Sequence, residues 1–152
     1  MNAGIFIAAM AAGGLGALCR YWVGGAINSH THFTSKMGTF WVNVSACFLD
    51  GLLAGFAAHF LVVWTGMKIL KYIVGTGFLG GYSTFSTASV ESFENFKKGL
   101  FRGFAFTSSM FLLSLGVCFA GFFIGVAYEM KYRHLKAISV PLSKKGNLDR
   151  VL

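Results

Sequence analysis

Hydrophobic and polar positions divide the chain into four long apolar stretches separated by short polar segments. The apolar stretches cover residues 4–27, 38–64, 69–91 and 99–128. A helix needs about 20 residues to cross a hydrocarbon layer about 30 Å thick, and each stretch is long enough. The pattern predicts an all-α integral membrane protein with four transmembrane helices. Residues 1–130 form the predicted membrane domain, and residues 131–152 form a basic C-terminal tail.

The third apolar stretch differs from the others in composition. Between Gly75 and Thr87 it reads GTGFLGGYSTFST, which has too many glycines and hydroxyls for a continuous helix. We therefore expect this span to be broken inside the membrane. Freed carbonyls at such a break suit a small hard cation, whereas freed N–H groups and hydroxyls suit an anion. A simple kink packed on a neighbouring helix is the alternative.

Composition narrows the class of protein further. The 152 residues are 55% hydrophobic and 12% charged, which is too little charge for the surface of a soluble domain of this size. The net charge of +8 comes mainly from loops and tail, so it indicates contact with membrane lipid rather than nucleic acid. The three cysteines lie singly in apolar stretches and are predicted to be inert thiols.

The distribution of Lys and Arg predicts the orientation in a cell membrane, inner or plasma. Four basic residues flank the spans on one side: Lys36, Lys97, Lys98 and Arg102. Eight lie on the side that also holds both termini: Lys68, Lys71, Lys131, Arg133, Lys136, Lys144, Lys145 and Arg150. Because cytoplasmic loops carry the excess of basic residues, both termini are predicted to be cytoplasmic.

Three polar side chains lie within the predicted spans and are candidates for function because burying them in lipid is costly. Asn43 offers both a hydrogen-bond donor and an acceptor, for an ion or for a neighbouring helix. Asp50 lies seven residues further along the same helical face, where it could pair with Arg20 or sit at a hydrated helix end. Arg20 could snorkel or attract an anion. Phe85 adds an aromatic ring whose positive edge can face an anion.

No enzymatic constellation is visible in the sequence. There is no Ser-His-Asp arrangement, no pair of carboxylates flanking a polar site and no phosphate-binding loop, so we do not expect an enzyme. A small four-helix drug or cation exporter is an alternative transporter. Such exporters need a carboxylate in the first helix for proton exchange, and residues 4–27 contain none.

Three motifs in the same order and spacing resemble the CrcB/Fluc family of fluoride ion channels. They are GGLGALCRY at 13–21, GTFWVN at 38–43 and GFLGGYSTFST at 77–87. The resemblance covers about residues 4–128. It implies a fluoride-selective channel subunit through which fluoride leaves the cell passively, which lowers fluoride toxicity in the cytoplasm.

The resemblance also implies an assembly and a set of site residues. Two subunits form an antiparallel dimer that holds a structural Na⁺ through main-chain carbonyls, and the matching positions here are Gly80 and Ser83. Fluoride passes along the dimer interface by way of Asn43, Phe85, Ser86 and Thr87. Arg20 is expected in the anion vestibule or in a structural role.

This chain departs from the family pattern at the position of a second pathway phenylalanine, which is Ala88. The family's tyrosine and serine on the fourth helix fall on Thr107 and Phe111. Together with the bias in basic residues, Ala88 favours a subunit that pairs with a paralogous partner of opposite orientation. A homodimer and a partner subunit that does not itself transport are the alternatives.

Overall fold

The computed structural model describes residues 3–30, 37–63 and 65–148. Six α-helices and one π-helical segment make up this part of the chain: α1 (Ala3–His30), α2 (Gly38–Val63), α3 (Thr65–Lys71), the π-helical segment (Tyr72–Leu79), α4 (Gly80–Tyr82), α5 (Phe85–Lys97) and α6 (Leu100–Leu148). The predicted loop residues 31–36, Trp64 and the tail residues 149–152 lie outside the described residues.

The all-α membrane fold is confirmed. Within the described part of the chain, three helical regions are long and apolar enough to cross a membrane, Ala3–His30, Gly38–Ala58 and Leu100–Leu135. The remaining predicted span corresponds to residues 65–97, which form several short helical pieces in succession. Many large apolar side chains are exposed on the outside of the chain, among them Trp22 and Phe101. That surface is suited to lipid or to a second subunit.

Close contact between α2 and α6 forms the main packing interface of the chain. Gly51 lies against the carbonyl of Cys118, and Gly121 lies against the carbonyl of Phe48. A methyl group at either glycine would overlap the backbone of the facing helix. Glycines four residues apart, Gly51 with Gly55 and Gly121 with Gly125, let membrane helices approach this closely.

The first helix packs against the third span by the same means. Gly16 lies against the carbonyl of Phe78, and Gly81 lies against the carbonyl of Gly13. The glycine-rich motif at 13–21 and the motif at 77–87 are therefore in direct contact. This contact fixes α1 beside the break, which explains how Arg20 reaches the candidate site.

The last helix extends beyond the predicted end of the fourth span. It was expected at residues 99–128, yet α6 begins at Leu100 and continues to Leu148, through most of the tail. Residues 129–140 contain Glu, Met, Lys, Leu and Ala, which are good helix formers, and no proline or glycine. Pro141 and Gly146 also lie within α6, and helix propensity does not explain the helix there. Loss of hydrophobicity after Tyr128 therefore marks a change in polarity and not the end of the helix.

Candidate functional site

The third span is broken at Ser83 and Thr84, inside the predicted region Gly75–Thr87. Ser83 has a ψ of 159° and Thr84 has φ −149° and ψ 124°, so both are extended. The last regular helical hydrogen bond before the break runs from Ser83 N–H to the Leu79 carbonyl, at 2.9 Å. Most of the predicted region, from Gly75 to Tyr82, remains helical as π- and α-helix. The break is therefore confirmed and is two residues long.

Asn43 on α2 binds the backbone at this break with both ends of its side-chain amide. Its Nδ2 donates to the Thr84 carbonyl at 2.9 Å, and its Oδ1 accepts from the Thr84 N–H at 2.8 Å. Backbone groups without partners cost several kcal/mol in a membrane, so this pairing stabilises the extended conformation. The amide also has a second N–H that is not used by Thr84. The structure thus brings Asn43 to the broken helix.

Arg20 on α1 contacts the other residue of the break. Its Nη1 donates to the Ser83 carbonyl at 3.1 Å. Among the described residues Arg20 makes no ion pair with Asp50, so that suggested pairing is wrong. The physical reason is the close approach of α1 to the third span, which places the guanidinium at Ser83 instead.

Three hydroxyl groups cluster where α5 begins. The Oγ1 of Thr84 accepts from the Thr87 N–H at 3.4 Å and lies 3.4 Å from the Ser86 Oγ and 3.3 Å from the Thr87 Oγ1. Thr84 is therefore the N-cap of α5, a role for which threonine is well suited. Ser86 and Thr87 were predicted site residues, whereas Thr84 was missed. Its position directly before the amphipathic stretch at 85–97 was the signal that could have identified it.

The break gives the two halves of the span opposite chemical character. The first half ends at Tyr82 with freed carbonyls, since the Thr84 N–H that would bind the Gly80 carbonyl donates to Asn43 instead. The second half begins at Phe85 with N–H groups that lack helical partners. A helix C-terminus favours a cation and a helix N-terminus favours an anion. One break therefore produces both kinds of environment side by side.

Gly80 and Ser83 line a cavity of about 390 Å³ on the carbonyl side of the break. Among the described residues, no group of three or more His, Cys, Asp or Glu side chains could hold a metal ion. Main-chain carbonyls are the hard oxygen ligands that Na⁺ takes, and the Gly80 carbonyl is freed by the break. The Ser83 carbonyl accepts from Arg20 and keeps a second lone pair. This donor set fits part of the coordination shell of a small cation.

Phe85 lies on the opposite side of the break and is 87% exposed in the single chain. It lines a second cavity of about 340 Å³, between α5 and α6, together with Ala88 and Thr107. Ala88 is buried, and the Thr107 Oγ1 is buried without a hydrogen-bond partner among the described residues. The small side chain at Ala88 therefore leaves space beside Phe85.

Further polar contacts connect α2 to the third span. Ser45 Oγ lies 3.1 Å from the Tyr82 hydroxyl, and Thr39 Oγ1 donates to Glu91 Oε1 at 2.7 Å. Sequence reasoning did not identify either pair. Thr39 and Asn43, four residues apart, share one face of α2, whereas Ser45 lies on a different face.

Comparison with known proteins matches this arrangement to a family. The family described as "CrcB-like protein, Camphor Resistance (CrcB)" matches residues 7–126. The chain belongs to the CrcB family. The match includes Arg20, Asn43, the break and both cavities.

Individual relatives extend over most of the chain. A protein of Pyrococcus horikoshii named "Fluoride-specific ion channel FluC" is 36% identical over 82% of this chain and 98% of its own length. A protein of the same name from Rhodospirillum centenum is 36% identical over 77% of this chain and 91% of its own length. "Fluoride-specific ion channel FluC 1" of Leifsonia xyli is 36% identical over 80% of this chain and 86% of its own length. The CrcB-family match and the apolar helices together identify a multi-pass membrane protein.

Proposed function

We propose that the chain is a subunit of a fluoride-selective ion channel that allows fluoride to leave the cell passively. The observation that carries this proposal is the pairing of Asn43 with Thr84, which stabilises the break in the third span. The names of the relatives, fluoride-specific ion channels, indicate fluoride as the transported ion, and the geometry of the break is suited to this anion.

Fluoride is small and strongly hydrated, and it accepts hydrogen bonds. Replacing its water requires donors and positive partial charges and no strong fixed cation that would trap it. The start of α5 supplies hydroxyls at Ser86 and Thr87, N–H groups of a helix N-terminus and the ring edge of Phe85. Asn43 adds an amide donor from α2. Phe85, Ser86 and Thr87 belong to the N–H side of the break, and Asn43 binds the break itself.

The proposed channel is an antiparallel dimer that holds a structural Na⁺. The exposed ring of Phe85 and the exposed backbone at Gly80 support a second subunit at this surface. Gly80 and Ser83 would contribute carbonyl oxygens, and a second copy or a paralogue would complete the set. The proposed location is the inner or plasma membrane with both termini in the cytoplasm, and no catalytic reaction is involved.

Efflux from liposomes tests the channel. The purified full-length chain is reconstituted, liposomes are loaded with fluoride, and efflux is followed with a fluoride electrode after potassium and valinomycin set the membrane potential. We expect fluoride efflux well above that of empty liposomes and chloride efflux at the background rate. Equal release of both anions, or none from the chain with or without a paralogous partner, contradicts the proposal.

A second candidate is a subunit that conducts only beside a paralogous partner. The cavity beside Phe85 favours it, because Ala88 leaves unfilled the position where the family resemblance places a second phenylalanine. In that case the chain alone is silent in the efflux assay, and co-reconstitution with the paralogue restores flux. The substitution Ala88→Phe is then expected to give measurable flux to the chain alone. Brisk efflux from the unmodified chain rules the paired-subunit candidate out.

A further inference from the structure

Asp50 on α2 lies in the same cavity as Gly80 and Ser83, and the sequence left its role undecided. The walls of this cavity come from α2, the first half of the third span and α6, at Cys118. Asp50 supplies the cavity with a carboxylate, and Lys71, at the end of α3, supplies an ammonium group. The freed carbonyls of the break and two opposite charges therefore share one cavity, whose remaining walls are mostly apolar.

The position of the Asp50 carboxylate depends on a glycine in the third span. A methyl group at Gly75 would lie 3.3 Å from Asp50 Oδ1 and 4.0 Å from Lys71 Cγ. Contacts of 3.3 Å are tighter than most side chains tolerate, so the absence of a side chain at Gly75 makes room for the carboxylate. Gly75 thus allows the Asp50 carboxylate to lie against the first half of the third span, whose last carbonyls favour a cation.

Asp50 makes no hydrogen bond or ion pair with any other residue in the described ranges, Lys71 included. An ionisable group within a membrane helix is costly unless water or an opposite charge compensates it. Here the carboxylate is exposed to the cavity, which water can fill. A charged group in a cavity with low-dielectric walls concentrates ions of the opposite sign. For Asp50 those ions are cations.

We propose that Asp50 raises the affinity of the cation site for Na⁺: its charge concentrates Na⁺ at the carbonyls of Gly80 and Ser83, and Lys71 opposes it. This proposal rests on the cation site of the proposed function. It concerns the Na⁺ concentration at which the site becomes occupied. The oxygens that coordinate Na⁺ remain the backbone carbonyls of Gly80 and Ser83. With the Arg20 guanidinium fixed on the Ser83 carbonyl, the balance between Asp50 and Lys71 then sets the Na⁺ concentration that the assembly requires.

The test measures Na⁺ binding through the stability of the assembly and not through fluoride flux. The full-length protein in detergent is melted at a series of Na⁺ concentrations, with choline keeping the ionic strength constant and low. Wild type is compared with Asp50→Asn and with Lys71→Gln. Glu94→Gln is the matched control, because Glu94 is an exposed carboxylate of α5 that does not line the cavity.

We expect Asp50→Asn to raise the half-saturating Na⁺ concentration about three- to tenfold and Lys71→Gln to lower it by a similar factor. Glu94→Gln leaves it unchanged. Raising the choline concentration shrinks both effects, since salt screens charges that act across water. If Asp50→Asn does not assemble, the Lys71→Gln result still decides the question.

Two results overturn the proposal: an unchanged Na⁺ requirement in the assembled Asp50→Asn protein, or a higher requirement in Lys71→Gln. The second would mean that Asp50 and Lys71 form a structural ion pair in the assembly. Fluoride efflux at saturating Na⁺ separates this proposal from the channel itself. If fluoride efflux persists but the substitutions do not shift the Na⁺ requirement, only the role proposed for Asp50 is contradicted. If the substitutions shift the Na⁺ requirement but the protein conducts no fluoride, only the proposed channel function is contradicted.

Discussion

The side chain of Asn43 pairs with both the N–H and the carbonyl of Thr84, at 2.8 and 2.9 Å, and the bond to the N–H replaces the helical hydrogen bond that Thr84 would otherwise donate to the Gly80 carbonyl. This relationship separates the carbonyl-rich end of one half-helix from the N–H-rich start of the next. It is the contact on which the first prediction depends.

Replacing Asn43 by Asp is expected to reduce fluoride efflux more than about tenfold, because a fixed negative charge at the break repels the anion at close range. The carboxylate also cannot donate to the Thr84 carbonyl, whereas Asn43 does. Efflux from liposomes and growth of a fluoride-sensitive host measure the effect. Asn28→Asp is the control, since Asn28 accepts from the Gly38 N–H through Oδ1 and the carboxylate keeps that bond. Equal flux in both variants would remove Asn43 from the pathway.

Replacing Phe85 by Ile is expected to slow efflux about three- to tenfold while the protein folds normally. The interaction of the ring edge with the anion is lost; aromatic pairs, which depend on the same ring quadrupole, are worth about 0.5–1.5 kcal/mol. Folding is spared because the side chain is 87% exposed. Phe101→Ile is a matched control, as Phe101 is also 87% exposed and lines neither cavity. Loss of flux in the Phe101 variant alone would contradict the assignment.

Replacing Thr84 by Val is expected to lower the free energy of unfolding by about 1 kcal/mol, because the N-cap of α5 is lost. Thr84→Ser keeps the hydroxyl and should restore most of the stability. Unfolding in mixed micelles, followed by circular dichroism, measures the difference. Ser89→Ala serves as the control, since Ser89 Oγ donates only within its own helix, to the Phe85 carbonyl. A Val variant as stable as the Ser variant would show that the cap contributes nothing.

Replacing Gly51 by Ala is expected to destabilise the protein by about 1–3 kcal/mol, since the methyl group would overlap the Cys118 carbonyl of α6. Gly116→Ala provides the comparison, because nothing lies within 4 Å of a methyl group at that position. Thermal melting in detergent measures both variants. The packing of α2 on α6 described above predicts a clear difference between them, and equal melting temperatures are incompatible with it.

Much of the fold followed from local sequence. The long apolar stretches predicted α1, α2 and α6, because a bilayer requires about 20 apolar helical residues and the chain supplies them continuously. The glycines and hydroxyls of 75–87 predicted a break, because these residues weaken a continuous helix.

Several features were decided only by the tertiary structure. Arg20 could have paired with Asp50 by charge alone, but the approach of Gly16 to the third span places it at the Ser83 carbonyl. Thr84 is ordinary in sequence and becomes the centre of the site because Asn43 reaches it from α2. The presence of a break is a local property of the residues in it. Which groups satisfy the freed backbone, and which side faces a cation or an anion, depends on helices distant in sequence.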